Sequence, residues 1–281
     1  MAAGRKQHKH RRGKGRLGKV LQLLCILAVL AALTVGATVF FQVEQIEVSG
    51  NQRYTSEEIV AATGIQTGDN LFRMNKFSIQ DHVLEEMPYV EDILIRRKLP
   101  STITIAVQEW DAVARVLPNP GWTAPVPEVE EGEEDPPVPV ATQQTWLISV
   151  GGKLLEEAPA EDTRLEIAGL TGLDARAGIQ LAVPEEEQGQ LEAVLALLAE
   201  LESRELLADM SRLEVGSTTL VLEYLGRYDV KLPLNADFAY KLDSLLAAVA
   251  EREGAQGPDI TGTFDLTQKN YTAVYSPNRI K

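Results

Sequence analysis

The 24 residues Val20–Val43, VLQLLCILAVLAALTVGATVFFQV, contain no charged side chain, and Gln22, Thr34, Thr38 and Gln42 are their only strongly polar members. As a helix this run is roughly 36 Å long, enough to cross a hydrocarbon core of about 30 Å with some tilt. A core helix of a soluble domain shows one apolar stripe, whereas this run is apolar on every side. Its flanks differ in sign. Arg5, Lys6, Lys9, Arg11, Arg12, Lys14, Arg16 and Lys19 precede it with no acid among them, and Glu44 opens a chain dominated by acids. Lys and Arg beside a span stay on the cytoplasmic side. The expected arrangement is a basic cytoplasmic tail (1–19), one transmembrane helix (20–43) and a large external remainder. The rival is a cleaved signal peptide, whose apolar region is about 7 to 15 residues long and precedes a small-residue cleavage site. Thr34–Ala37 offers small residues, but the run is longer and ends in Phe40-Phe41-Gln42-Val43. An uncleaved anchor is the reading taken.

The charge split bounds the partners. Of 27 Lys+Arg and 41 Asp+Glu, 19 basic and 41 acidic residues lie beyond Val43, a net of −22. Phosphate backbones need the opposite sign, so a nucleic-acid partner is not expected. The single cysteine, Cys25, lies inside the apolar run, and His82 is the only histidine beyond it. That removes a disulfide framework, an external thiol nucleophile and a His-based metal cluster. Residues 1–19 have little to bury and are expected to be disordered.

After the apolar run, Gln45–Ser49 alternates as a strand ended by Gly50-Asn51. Thr55 with Glu58 three residues on is a capping box opening a helix that stops near Gly64. A second helix spans Asn75–Met87, with Ile79, Val83 and Met87 on one face and Pro88 closing it. Val90–Arg97 and Thr102–Gln108, joined at Lys98-Leu99-Pro100-Ser101, read as a hairpin. The order is β-α-α-β-β in about 65 residues, a compact α+β unit. Leu71-Phe72 is expected to supply apolar bulk between the helices. Arg96-Arg97-Lys98 is either a binding patch or a solvated turn.

These residues resemble the polypeptide-transport-associated (POTRA) domain of the FtsQ/DivIB bacterial cell division family. The text that carries the likeness is Val43–Asn51, Ser56-Glu57-Glu58-Ile59, Gly64, Gly68–Phe72, Pro88-Tyr89-Val90 and Arg96–Ile105, in that order directly after a membrane span. Trp110 stands where that family often has a basic residue.

Leu117–Gln144 breaks the pattern. It holds seven of the chain's 14 prolines and six acids between Glu128 and Asp135. Proline removes backbone donors and the acids repel, so 118–144 is expected as a disordered insertion. The flanks Ala112–Val116 and Thr145–Val150 are strand-like. If they touch, the insertion sits in a hairpin; if not, it is a linker. Further on come Leu165–Leu173, a helix opened by Pro184 with acids in its first turn and an apolar stripe at Leu191, Val194, Leu195, Leu198 and Leu201, strands at Met210–Val215, Thr219–Tyr224 and Asp229–Leu234, a helix capped by Asn235 and ending at Gly254, and strands at Ile260–Leu266 and Ala273–Ser276. The expected fold class is α+β: one N-terminal transmembrane helix, a β-α-α-β-β POTRA domain over 44–111, then a mostly antiparallel sheet domain with two helices over 112–276, and a tail at 277–281.

No catalytic residues, cofactor or metal site stand out. Glu185-Glu186-Glu187 is accounted for by its place at a helix start. The resemblance implies a non-catalytic division scaffold in the cell membrane at the septum. Its implied partners are FtsB/DivIC-type and FtsL-type division proteins, single-span coiled-coil proteins themselves, with no small-molecule substrate. The family's contact lies in the last strands of its second domain, which carries over to Thr263, Phe264, Asp265, Leu266, Tyr271, Val274 and Tyr275. The alternatives are a membrane-anchored cell-wall hydrolase using a carboxylate pair about 5 to 10 Å apart, and an outer-membrane translocation subunit, which would need barrel strands.

Overall fold

The computed structural model describes residues 15–125, 141–268 and 273–280, without the side chains of 15–17 and 37–39. The basic tail up to residue 14 and the centre of the insertion lie outside these residues. Helix α1 runs Gly15–Phe40, and its stretch Gly18–Gly36 is long and apolar enough to cross a bilayer. Leu21 and Leu33 are 65% and 64% exposed, and the stretch Gly18–Gly36 is buried against nothing among the described residues. Thr34 satisfies its hydroxyl inside the helix, donating to Leu30 O and Ala31 O. The helix is shorter at its far end than the apolar run. Val43 is fully buried in the first core, and Phe41 packs against that core. Val43 N donates to Asp69 O, Gly68 N to Val43 O and Leu71 N to Phe41 O. Phe41 and Val43 are apolar because they enter a protein core, not because they face lipid.

The first core is built on a three-stranded sheet of β1 (Gln45–Ser49), β2 (Val90–Lys98) and β3 (Thr102–Glu109) in the order β1-β3-β2. β2 and β3 are an antiparallel hairpin, and β1 runs parallel to β3 with Gln45 opposite Thr102. Between β1 and β2 come α2 (Ser56–Thr63) and α3 (Lys76–Glu86). The Thr55–Glu58 capping box starts α2, and Gly64 at φ 65° ends it in the left-handed conformation that glycine adopts without strain. Ile59, Leu71 and Val83 meet Ile93, Ile103 and Ile105 in the interior. Leu71 is fully buried, but Phe72 is 54% exposed, contrary to its expected place between the helices.

The second core lies on a nine-stranded sheet, ordered β12-β11-β10-β9-β8-β7-β4-β5-β6. Its strands are β4 (Ala114–Val116), β5 (Trp146–Ile148), β6 (Leu154–Glu157), β7 (Leu165–Ala168), β8 (Met210–Val215), β9 (Thr219–Tyr224), β10 (Tyr228–Pro233), β11 (Gly262–Asp265) and β12 (Val274–Ser276). Neighbours pair antiparallel except β4–β7, β7–β8 and β10–β11. Helix α4 (Gln188–Ser203) follows a short 3-10 turn at Glu185–Glu187, and α5 (Phe238–Gln256) closes the chain's helical part. The cap of α5 is Asp237, whose carboxylate accepts from Tyr240 N, and not Asn235. Of the expected α4 stripe, Leu191, Val194, Leu198 and Leu201 are buried, while Leu195 is only partly so. Leu197 joins the stripe, and Leu242 and Leu245 of α5 are fully buried in the same core. Over β4, β7 and β8 the opposite face of the sheet is polar, with Arg115, Glu166, Arg212 and Glu214 ion-paired across these strands.

β4 and β5 pair directly, Ala114 opposite Ile148, so the Pro-rich segment is inserted in a hairpin. Its described ends are not the uncollapsed chain that its composition suggests. Trp122 is completely buried, Thr123 N donates to Gly172 O, and Thr142 N donates to Trp122 O. A Cβ on Gly172 would stand 2.3 Å from the Trp122 ring, so only glycine admits the indole there. One large aromatic supplies the burial that the surrounding prolines and acids lack.

Candidate partner-binding site

The expected contact residues lie on β11 and β12, at the end of the long sheet. β11 is an interior strand, paired parallel with β10 and antiparallel with β12. β12 has no neighbour on its outer side among the described residues, so it is an open edge. The structure divides the expected set. Phe264 and Leu266 are 0% and 1% exposed and part of the core, while Thr263, 7% exposed, is buried on the other face beneath the segment that follows β12, so none of the three is an open surface. Asp265 is turned inward on its own loop, its Oδ1 accepting from Thr267 N at 2.9 Å and Thr267 Oγ1 at 2.6 Å. Val274, 50% exposed, is the open apolar residue of the edge. Tyr275 is half-buried, its ring 5.2 Å from that of Phe264, and its hydroxyl donates to Thr261 O at 2.9 Å. Tyr271 lies outside the described residues.

What holds this edge in place comes from residues the sequence did not single out. Phe264 sits 5.3 Å from the ring of Tyr228, which is 6.3 Å from that of Tyr224, so an aromatic row ties β11 to β10 and β9. The Arg252 guanidinium lies 4.9 Å from the centre of the Tyr275 ring. Beyond β12 the chain turns back across the polar face. Thr263 Oγ1 donates to Asn278 O, Arg279 binds Asp229 at 2.6 Å and also Glu223, and Ile280 N donates to Asp229 Oδ2 at 2.6 Å. The hydroxyl of Ser211 and the Arg279 guanidinium hold the Glu223 carboxyl below its ordinary value, and the two carboxylates hold Arg279 firmly charged. A basic residue near the end of the chain, a few residues beyond an expected strand, was the only signal for this strap. Among the described residues no group of three His, Cys, Asp or Glu gathers as a metal site.

Residues 41–110 match the family model of the POTRA domain, FtsQ-type. The chain carries an FtsQ-type POTRA domain. Its relatives agree with the resemblance to FtsQ/DivIB division proteins. It is 33% identical to cell division protein DivIB of Clostridium acetobutylicum over 90 residues, covering 32% of this chain and 34% of that protein. It is 33% identical over 93 residues to cell division protein FtsQ of Corynebacterium glutamicum, covering 33% and 40%. A longer match, 26% identical over 233 residues, covers 82% of this chain and 71% of cell division protein FtsQ of Syntrophotalea carbinolica. In the first two, the match spans only about a third to two fifths of the relative's length. The POTRA domain starts at Phe41, directly after α1 ends, in accord with the burial of Val43.

Proposed function

We propose that this protein is a single-span, non-catalytic scaffold of the bacterial division machinery. Its tail faces the cytoplasm, its two folded units face outward, and it acts at the septum. It captures FtsB/DivIC-type and FtsL-type partners by accepting a strand on the open edge of β12. The observation that carries the reading is this edge. It is unpaired on one side among the described residues, it displays Val274, and the aromatic row and the Arg279 strap support it from behind. An edge strand offers its main-chain donors and acceptors to an incoming strand, and preorganisation reduces the cost of binding. Of the residues carried over from the family, Val274 and Tyr275 make the contact, while Thr263, Phe264 and Leu266 support it from below.

The rival reading as an anchored hydrolase needs two free carboxylates. Glu223 and Asp229 are neighbours on β9 and β10, but Arg279 binds both, which leaves neither as an acid or base. Capture of the external segments of the host's DivIC-type and FtsL-type proteins by the intact chain in nanodiscs tests the scaffold. Val274→Lys, a charge on an exposed edge, is expected to weaken capture about tenfold or more while leaving the melting temperature within a degree or so. Unchanged capture moves the interface away from β12. No capture by the intact chain overturns the scaffold itself.

A further inference from the structure

The POTRA domain carries a second exposed surface, at the end where it joins α1. Phe72 is 54% exposed, Phe77 at the start of α3 75%, Leu99 in the β2–β3 turn 57% and Phe40 at the end of α1 65%. Three large apolar side chains open to solvent on one end of a small domain, with Phe40 of α1 beside them, form an exposed apolar patch. They are joined to the helix. The rings of Phe40 and Phe41 meet edge to face at 5.1 Å, and Phe41 and Phe72 meet in the same way at 5.1 Å. Pro100 and Ser101, the residues after Leu99, line a cleft together with Gly36 and Phe40 of α1. The apolar surface of α1 therefore continues without a break onto the folded domain.

Cations accompany it. Residues 41–110 contain six Lys and Arg, and five of them are Arg73, Lys76, Arg96, Arg97 and Lys98. The two short segments that hold them are brought together by Arg97, which lies 5.8 Å from the centre of the Phe72 ring and donates to Met74 O at 3.0 Å. Lys98 pairs with Glu47 at 3.4 Å. Arg73, Lys76, Arg96 and Arg97 form no ion pair with a carboxylate among the described residues, although the external part of the chain has a large excess of acids. Aromatic rings interleaved with unpaired cations beside a membrane span match the layered chemistry of a lipid interface, where rings sit at headgroup depth and cations meet phosphates.

We propose that this face lies in the outer surface of the bilayer and binds anionic phospholipid headgroups, so that the POTRA domain rests on the membrane instead of standing off it. The proposal rests on α1 crossing the membrane, and the test separates the two. The full-length protein is reconstituted into vesicles of phosphatidylethanolamine and phosphatidylglycerol. A nitrobenzoxadiazole label is placed on the native Cys25, or on Phe77→Cys, Leu99→Cys or Glu192→Cys in a Cys25→Ser background. Glu192 is an exposed residue of α4 and serves as the reference. Spin-labelled lipids of known depth report the position of each label.

Labels at 77 and 99 are expected to be quenched by shallow spin labels about threefold more than the label at 192, and Cys25 by deep ones. Arg73→Gln with Lys76→Gln is expected to reduce the signal at 77 and 99 in these vesicles and to change nothing in phosphatidylcholine. Deep quenching at Cys25 with no excess at 77 and 99 overturns the proposal and leaves the span intact. No quenching at Cys25 removes the span and the proposal with it. Excess quenching at 77 and 99 that is the same in phosphatidylcholine and insensitive to the double variant overturns the headgroup assignment.

Discussion

The junction between the two cores and the far edge of the long sheet treat their backbone groups in opposite ways. Around the junction several offered groups are taken. Lys153, 8% exposed, reaches from the second unit into the first, where its Nζ donates to Leu84 O at 3.3 Å and Val90 O at 3.1 Å. Leu84 lies in the last turn of α3, so a cation from the other unit caps the negative end of a helix. Burial lowers the pKa of this ammonium group, which forms no ion pair with a carboxylate among the described residues. Glu109 accepts three successive backbone N–H groups, from Gln52, Arg53 and Tyr54. Glu156 binds Arg53 at 2.9 Å and the Tyr89 hydroxyl at 2.7 Å, while Tyr89, Leu147 and Leu155 form a small apolar seam. Burial and the bond to Glu156 push the Tyr89 phenol well above its ordinary range. At β12, in contrast, one whole side of a strand is left without a neighbour among the described residues. A surface paired in this way joins parts of one chain, and a surface left open can be offered to another.

The comparison can be broken most severely at Phe264. Its replacement by alanine empties the centre of the aromatic row and is expected to cost about 3–5 kcal/mol, with a large fall in melting temperature and loss of partner capture. Lys153→Ala comes next. It leaves the carbonyls of Leu84 and Val90 without their donor, and a cost of about 1–3 kcal/mol is expected. Thermal unfolding followed by circular dichroism reads both, and the pair sharpens the contrast. Lys153→Ala should lower stability while sparing partner capture, and loss of capture in that variant would mean that the junction and the edge are coupled.

The smallest effect lies in the acid limb. Glu223 titrates below its ordinary value in the folded protein because Ser211 and Arg279 bind its charged form. Its contribution is therefore fully present above the ordinary carboxylate range and is lost as pH falls through the lower folded value. Melting temperature should drop as pH falls from about 5 towards 3, and Glu223→Gln should flatten that drop. An identical acid limb in the variant would place the titration elsewhere.

Much of this was legible in the chain. The alternation of Met210–Val215 and Thr219–Tyr224 gives β8 and β9 at the residues where they are found, and the Thr55–Glu58 box gives the start of α2. Hydropathy alone misleads at Phe41–Val43, because a run of apolar residues does not say whether lipid or protein surrounds it. Composition misleads at Trp122, where one indole outweighs its neighbours. Asn235 competes with Asp237 for the cap of α5 because Asn and Asp two residues apart give the same local signal. At the candidate site the family resemblance located the strands but not their faces. The period of two that puts Phe264 and Leu266 on one side was present, and it marks them as inward. The Arg279 strap spans Gly226 to Ile280 in sequence, a long-range closure that no local pattern encodes.

The way Val43 is buried has a mechanical result. Only Phe41–Glu44 separate α1 from β1, and backbone hydrogen bonds pin them to Asp69, Gly68 and Leu71. There is no slack neck on which the folded units can swivel. If α1 spans a membrane as proposed, the strand edge at β12 would be carried at a set height as the molecule diffuses, and encounters with a partner in the same bilayer would be confined to a thin layer. Confinement of that kind raises effective concentration without adding a contact. On the proposed reading, a short three-residue strand that captures a partner from solution would capture it more often when both proteins travel in one plane.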